Sequence, residues 1–213
     1  MSTTTLSEPA LILVDIQQGF LDIDYWGGER NNPGAELRAS ELLNIWRKNK
    51  LPIFHIQHCS TNPVSPLRET APGNCFNELV TPQTGELIIK KKVNSAFIGT
   101  DLQVQLGQSG INTLVIAGLT TDHCISTTVR MAGNLGYKTF LVADATATFN
   151  KTGIDGKNYP AELIHQTALA SLNKEFATII NTDFIKRSMQ LEQTNRSALS
   201  GWKSKHGFLH NIH

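Results

Sequence analysis

Side chains that can carry out nucleophilic chemistry follow three of the strand-like segments of this sequence. Asp15 ends the first apolar run, a lysine triplet at 90–92 ends the third, and the turn that leads to Cys124 follows the fourth. A carboxylate can move a proton, an ammonium group can hold an anion, and a thiol can attack a carbonyl carbon. Because open parallel sheets bind ligands beyond the carboxyl ends of their strands, we expect these groups to share one crevice.

Cys124 stands where the β-branched run before Gly118 gives way to the helical pattern GLTTDHCISTTVR. A cysteine in the first turn of a helix faces free backbone N–H groups and the positive end of the helix dipole, and both favour the thiolate. The same N–H groups can hold the oxyanion that forms when sulfur adds to a carbonyl. The simpler interpretations are a buried apolar cysteine, an Asp15 that caps a neighbouring element, and solvated lysines.

The elements that must position these groups alternate between short apolar runs and helical patterns. This alternation predicts an α/β fold: a three-layer α/β/α sandwich around a Rossmann-like, mostly parallel sheet of about six strands. The predicted strands cover residues 10–16, 52–58, 86–91, 112–119, 138–145 and 177–181, and the predicted helices cover residues 33–50, 101–110, 122–135 and 160–176. Two long loops, 20–32 and 59–85, are interpreted either as pocket walls or as plain surface excursions.

Length and composition narrow the class of protein. The 213 residues suit one domain, 1–213, with a core over about 10–186 and a C-terminal arm over about 187–213. The 19 Lys and Arg residues nearly balance the 18 Asp and Glu residues, which argues against a nucleic-acid or membrane partner and favours a small-molecule substrate. Three cysteines without CxxC spacing, no signal-peptide pattern and no membrane-length apolar run predict a cytoplasmic protein.

Three segments in this order resemble the signature elements of the isochorismatase-like cysteine hydrolases, a family that includes nicotinamidases and N-carbamoyl amidohydrolases. The segments are LVDIQQGFLD at 13–22, KKVNSAFIGTDL at 91–102 and GLTTDHCISTTVR at 118–130. The resemblance extends from about residue 10 to residue 185. It implies that Cys124 is the nucleophile, that Asp15 is the general base and later the acid, and that Lys91 is the cation that holds the thiolate. Lys91 is preferred to its lysine neighbours because it precedes Ser95 by four residues, as in the family's motif.

The resemblance also implies features of the backbone and of the assembly. It implies a cis peptide between Leu119 and Thr120, and an oxyanion hole formed by the backbone N–H groups of Thr120 and Cys124. It further implies the strand order 3-2-1-4-5-6, in which strand three lies toward an edge, so Lys91 is expected to reach the site through the returning loop 93–102. The family commonly forms homodimers or larger homo-oligomers and needs no cofactor for this chemistry.

Four further residues are candidates for substrate contact or pocket support: Gln17, Trp26, His58 and Phe97. The metal-binding D-x-H element of nicotinamidases resembles the segment around His58, but Ile56 stands where the Asp would be. The sequence therefore predicts no metal site.

The remaining histidines have simpler interpretations. His55 and His165 are predicted to be packing residues, and His123 is predicted to lie on a helix surface or in a dimer contact.

The function favoured by these residues is a cysteine-dependent hydrolase that cleaves a C–N bond of a small amide, lactam, ureido or carbamoyl compound through a thioester acyl-enzyme. Cys124 favours C–N hydrolysis, because isochorismatases proper lack a cysteine at this position and add water to a vinyl ether. Two alternatives stay open. One is an isochorismatase-type vinyl-ether hydrolase in which Asp15 protonates the substrate, and the other is a non-catalytic protein with a redox-sensing thiol.

Overall fold

A computed structural model of the protein describes residues 8–191 and residue 194. The strands are β1 (Ala10–Val14), β2 (Ile53–His58), β3 (Leu87–Lys91), β4 (Thr113–Leu119), β5 (Lys138–Ala147), β6 (Lys151–Thr152), β7 (Asn158–Tyr159) and β8 (Thr178–Ile180). The helices are α1 (Ile23–Trp26), α2 (Ala35–Asn49), α3 (Leu102–Gln108), α4 (Ser126–Asn134), α5 (Ala161–Leu172) and α6 (182–191). Within this part of the chain, no helix is long and apolar enough to span a bilayer. Most of the predicted C-terminal arm lies outside the described residues.

Six parallel strands form the main sheet in the order β3-β2-β1-β4-β5-β8. Counted within this sheet, the order is 3-2-1-4-5-6, so the predicted topology is confirmed. β1 lies between β2 and β4, and all five of its residues are buried, as expected for a central strand covered on both faces. From β1, the chain adds β2 and β3 on one side of the sheet and then β4, β5 and β8 on the other. The topological switch point therefore lies between β1 and β4, next to Asp15.

Helices cover both faces of the sheet, so the predicted three-layer sandwich is confirmed. Alternate residues of β1 point to opposite faces, because side chains alternate along a strand. Ala10, Ile12 and Val14 join the apolar cluster formed with α3, α4 and α5. Leu11 and Leu13 join the cluster formed with α2 and α6.

The structure differs from the predicted elements mainly at their ends. The first strand stops at Val14 rather than at residue 16, because Asp15 takes a left-handed backbone conformation with φ of 53°. The helix predicted from residue 122 begins instead with a π-helical turn, Thr121–Ile125, ahead of α4. The hairpin of β6 and β7 was not predicted, because strands of two residues are too short to show periodicity.

A buried polar cluster ties α2 to the sheet. Arg47 Nε donates to Glu86 Oε1 at 2.7 Å, and His55 Nε2 lies 2.9 Å from Glu86 Oε2. Burial lowers the pKa of His55, which is fully enclosed and packs edge-on against Phe76, as its predicted packing role requires. Burial alone would raise the pKa of Glu86, but hydrogen bonds from Arg47, the Gln83 N–H and His55 outweigh burial and lower it to about 2.

This cluster predicts an acid-sensitive fold. The pKa of His55 lies below its unfolded value of 6.5, so the unfolded chain binds that proton more tightly and the free energy of unfolding falls as the pH drops below 6.5. Glu86 adds a further fall below 4.5, toward its folded pKa of about 2. Urea unfolding at several pH values measures both effects. A His55→Gln variant, which keeps a donor for Glu86 and cannot titrate, should lose less stability between about pH 6.5 and 5; equal losses in the two proteins would contradict this assignment.

Candidate active site

Asp15 and Cys124 are brought together by the central strands β1 and β4. Val14 lies opposite Gly118 in the pairing of these strands. A Cβ on Gly118 would lie 2.0 Å from the Val14 carbonyl oxygen, and φ of Gly118 is 132°, so only glycine permits this close approach. The chain therefore leaves β1 and β4 at neighbouring points. As a result, Asp15 and the turn that follows Leu119 lie at the same crevice.

Cys124 lies in the π-helical turn that follows β4. The carbonyl oxygen of Thr120 accepts hydrogen bonds from the N–H groups of His123 and Ile125, which fixes the turn around the sulfur. The peptide bond between Leu119 and Thr120 is cis, as the resemblance implied. His123 is exposed on the outer side of the turn, in keeping with the predicted surface position.

Lys91 is the last residue of the edge strand β3, and its side chain is almost fully buried. The expectation that a returning loop carries Lys91 to the site is wrong. The long lysine side chain itself crosses from the edge strand toward β1, which a shorter residue at this position could not do. Loop 93–102 does return, but it brings Ala96 rather than Lys91 against α4, where the Ala96 N–H donates to Thr128 Oγ1 at 3.0 Å.

The ammonium group of Lys91 is the centre of the site. Nζ donates to Asp15 Oδ2 at 2.6 Å and to Cys124 Sγ at 3.3 Å. It also lies 3.1 Å from His58 Nδ1 and donates to the Val93 carbonyl oxygen at 3.1 Å. Burial disfavours the charged ammonium, but the carboxylate of Asp15 and the sulfur of Cys124 outweigh burial and raise the pKa of Lys91. Lys91 is therefore a permanent cation between an acid and a thiol.

The predicted lowering of the thiol pKa is wrong. Burial and the neighbouring negative charge of Asp15 raise the pKa of Cys124, and the ammonium of Lys91 only partly opposes them. Free N–H groups and the helix dipole favour the thiolate, but the loss of water around a sulfur that is 9% exposed favours the neutral thiol. This loss of water is not visible in the sequence. The raised pKa favours the neutral thiol, so a nucleophilic role for Cys124 would require a base that takes its proton.

A proton acceptor for this thiol is present at Asp15. Asp15 Oδ2 is bound by Lys91, whereas Oδ1 is buried and has no hydrogen-bond partner among residues 8–191 and 194. A carboxylate oxygen of Asp15 lies within 4.8 Å of Cys124 Sγ. A buried acceptor without a donor is unfavourable unless another group uses it, and the proton of the thiol is such a group.

His58 completes the ring of groups around Lys91. Burial, and then the positive charge of Lys91, lower the pKa of His58, so the imidazole is neutral. Its Nδ1 faces an ammonium group that can only donate, which leaves the ring proton on Nε2. The structure therefore places His58, a predicted substrate-contact candidate, in direct contact with the cation of the site.

The same groups test whether a metal ion fits. Within the described part of the chain, Asp15, His58 and Cys124 are the one set of three ligand-type side chains whose donor atoms lie within 4.8 Å of one another. Lys91 Nζ already contacts all three. A divalent cation would have to displace a buried ammonium group from its acceptors, so this donor set does not fit a metal.

Of the two roles predicted for Gln17, substrate contact and pocket support, its contacts favour the second. Its Nε2 donates to the carbonyl oxygens of His58 and Asn74, and its Oε1 accepts from the His58 N–H at 2.9 Å. The side chain is 1% exposed. Its amide is used to fix the end of β2, so Gln17 orients His58 rather than a ligand.

The two aromatic candidates lie on different sides of the site. Trp26 stacks on Phe20 at a centroid distance of 4.6 Å, donates to the Gly19 carbonyl oxygen and packs on the cluster that contains Leu119. Phe97 belongs to the apolar cluster that contains Cys124 and stacks on Tyr137. Both therefore support the walls around the site, and neither is a hydrogen-bonding partner of the three polar groups.

Several residues around the nucleophile turn were not predicted. Asp122 accepts a hydrogen bond from Thr148 Oγ1, and Lys151 Nζ lies 3.6 Å from Asp122 Oδ2. Thr121 Oγ1 lies 2.8 Å from His165 Nδ1. The polar segment TTDHC indicates that the turn can form side-chain hydrogen bonds. The sequence does not show which buried partner each of these side chains binds.

The fold and the site define a class of α/β proteins in which a carboxylate, an ammonium group and a thiol meet at the carboxyl edge of a parallel sheet. The chain belongs to the isochorismatase family: residues 9–184 match the Isochorismatase domain, and the protein is a hydrolase. It is 48% identical over 174 residues to YrdC, an uncharacterized isochorismatase family protein of Bacillus subtilis strain 168, covering 82% of this chain and 92% of that protein.

Two other relatives extend the comparison. A crystal structure of an isochorismatase-family protein from Chromobacterium violaceum superposes with a TM-score of 0.85 at 39% identity, covering 89% of this chain and 98% of that one. The maleamate amidohydrolase of Pseudomonas putida is 29% identical over 161 residues, covering 64% of this chain and 71% of that enzyme. Members of the family therefore include an enzyme that hydrolyses an amide.

Proposed function

We propose that this protein is a cysteine-dependent hydrolase that cleaves the C–N bond of a small amide, lactam, ureido or carbamoyl compound, with Cys124 as nucleophile. The observation that carries the proposal is the arrangement around one ammonium group. Lys91 Nζ binds Asp15 at 2.6 Å and Cys124 at 3.3 Å, while the second oxygen of Asp15 has no donor within the described part of the chain. Base and nucleophile are thus each held within hydrogen-bond reach of the cation, and a carboxylate oxygen of Asp15 lies within 4.8 Å of the sulfur.

The first half of the reaction forms an acyl-enzyme. Cys124 Sγ attacks the carbonyl carbon of the substrate, and the thiol proton passes to Asp15. The backbone N–H groups of Thr120 and Cys124 stabilise the oxyanion of the tetrahedral intermediate. Lys91 stabilises the negative charge on sulfur as the proton leaves. The intermediate collapses when the C–N bond breaks and Asp15 returns its proton to the departing nitrogen, which releases ammonia or an amine.

The second half regenerates the thiol. A water molecule gives a proton to Asp15 as its oxygen attacks the thioester carbonyl, and the C–S bond then breaks. The proton on Asp15 goes back to sulfur, and the product leaves. The product is a carboxylic acid from an amide or lactam, and from a ureido or carbamoyl compound it is a carbamic acid that breaks down to carbon dioxide and ammonia or an amine. Each turnover therefore consumes one water and needs no cofactor.

The structure favours this reaction over a redox-sensing role. Redox-sensing cysteines are exposed and have lowered thiol pKa values. Cys124 is buried, and burial raises its pKa. A vinyl-ether hydrolase needs only Asp15, which protonates the substrate. In that reaction the contact between Lys91 and Cys124 would have no role, so this contact favours C–N hydrolysis.

A substrate panel tests the proposal. We expect turnover of at least one class among amides of small carboxylic acids, ureido acids and small lactams, seen as release of ammonia or an amine from the first two and as the ring-opened amino acid from a lactam. Acid quenching during turnover, followed by peptide mass spectrometry, should show an acyl group on Cys124. Pyruvate release from isochorismate with no turnover of any amide would establish the vinyl-ether alternative instead. The predicted cytoplasmic location and homo-oligomeric state stay predictions, and light scattering measures the second.

A further inference from the structure

His165 and Thr121 form a buried polar pair behind the nucleophile turn. His165 is on α5 and is 2% exposed, and Thr121 opens the π-helical turn and has no exposed surface. His165 Nδ1 lies 2.8 Å from Thr121 Oγ1. The reaction described above uses neither side chain. The pair nevertheless connects His165 to the turn that carries Cys124, because Thr121 precedes Cys124 by three residues in that turn.

Asn32 lies against the other ring nitrogen of His165. Asn32 Nδ2 donates to the carbonyl oxygens of Ala143 and Thr146, at 3.1 and 2.8 Å, so its amide nitrogen faces His165 Nε2 at 3.5 Å. Burial lowers the pKa of His165, which makes the ring neutral. A neutral ring pairs with the hydroxyl in either tautomer, because Nδ1–H can donate to Thr121 Oγ1 or the hydroxyl can donate to Nδ1, so the bond joins α5 to the turn in both cases.

Two hydrogen bonds at the start of α5 hold this helix, and with it His165, in place. The Asn150 side chain accepts from the Ala161 N–H at 2.7 Å, which holds the start of α5 against the segment after β5. Asn31 Nδ2 donates to Glu162 Oε2 at 3.2 Å. The loop 20–32, which carries Trp26, and the turn that carries Cys124 are therefore both fastened to the first turns of α5.

We propose that His165 is a positioning residue that holds the Cys124 turn in its reactive geometry through the Thr121 hydroxyl. This inference rests on the proposed function, because it assigns importance to the geometry of Cys124. Loss of the bond leaves the fold in place and lets the turn shift relative to Asp15 and Lys91. The Asn32 contact links the same histidine to the loop 20–32, so the position of the loop and that of the nucleophile change together.

Matched variants separate the hydrogen bond from the bulk of the two side chains. His165→Leu and Thr121→Val each remove one partner of the bond at similar volume. His165→Asn places an amide donor near the position of Nδ1, and Thr121→Ser keeps the hydroxyl. We expect the first two to lower kcat by about 10-fold to 100-fold with a much smaller change in KM, and the last two to recover most of that loss. The double variant His165→Leu with Thr121→Val should lose no more than either single variant, because both remove the same bond.

Alkylation of Cys124 by iodoacetamide, followed by peptide mass spectrometry, gives a readout that needs no substrate. Its rate should change in the two bond-breaking variants and return toward that of the original protein in the two conservative variants, while exposed Cys75 reacts unchanged in each sample. Equal behaviour of His165→Leu and His165→Asn in both assays would overturn the inference. Amide turnover that survives loss of Cys124 would overturn the proposed function instead, and the alkylation rates would still decide whether His165 positions the turn.

Discussion

Replacing Cys124 with alanine is expected to lower kcat roughly a million-fold, the loss seen when a covalent nucleophile is removed from a hydrolase. Asp15 and Lys91 would remain, but no atom near them could form the acyl-enzyme. The oxyanion-hole N–H groups would support only slow attack by water. The measurement is ammonia or amine release from the amide found in the substrate panel, at saturating concentration and over long incubation.

Two variants control for indirect effects of this change. Cys75→Ala removes an exposed thiol and should keep full activity. Cys124→Ser keeps the shape of the site but replaces the thiol by a much less acidic hydroxyl, so we expect it to be nearly inactive as well. Substantial amide turnover by Cys124→Ala would show that sulfur is not the nucleophile.

The parallel sheet and the convergence of the three polar groups could be predicted from local patterns, whereas the strand order was implied by the resemblance to the isochorismatase-like cysteine hydrolases. Apolar runs alternating with helical periods predict a parallel sheet, and strand ends in such a sheet share one edge. Asp15, Lys91 and Cys124 each stand beside such a run, so their meeting required only the strand order. The structure places both Asp15 and Cys124 within hydrogen-bond reach of Lys91 Nζ.

The state of the thiol could not be predicted, because it depends on how much water the fold removes. Helix N–H groups and a nearby lysine are visible in the sequence and favour the thiolate. The burial of Cys124 and the distance to Asp15 are not visible, and they raise the pKa of the thiol. The role of Gln17 stayed open between substrate contact and pocket support for a similar reason, since its two carbonyl partners are backbone groups distant in sequence.

The hydrogen bonds between the Cys124 turn and residues distant in sequence could not be predicted either. Thr121 and His165 are 44 residues apart, and neither residue type indicates the other as its partner. Side-chain pairs of this kind depend on the packing of α5 against the turn. A sequence pattern predicts that such a helix exists and which face is apolar, but not which polar atoms meet beneath it.

Lys91→Met is expected to destabilise the protein by about 3–5 kcal/mol, because it leaves a buried carboxylate without its counter-charge. Asp15 has no exposed surface, and Lys91 is its ion-pair partner at 2.6 Å. Methionine fills most of the same volume, so the loss reports charge rather than packing. Urea unfolding gives the free energy change, and we expect the same variant to lose amide turnover, since no cation would stabilise the sulfur as its proton leaves.

The double variant Asp15→Asn with Lys91→Met separates these two effects. Removing both charges should restore much of the lost stability, because no uncompensated ion stays in the interior. Activity should not return, since neither the base nor the cation is present. Lys90→Met is the matched control: the neighbouring lysine pairs with Glu69 in solvent, and its loss should change neither stability nor turnover measurably. If Lys91→Met were as stable as the original protein, Asp15 could not be an ionised group in the interior, and the proton transfers assigned to it would have no acceptor.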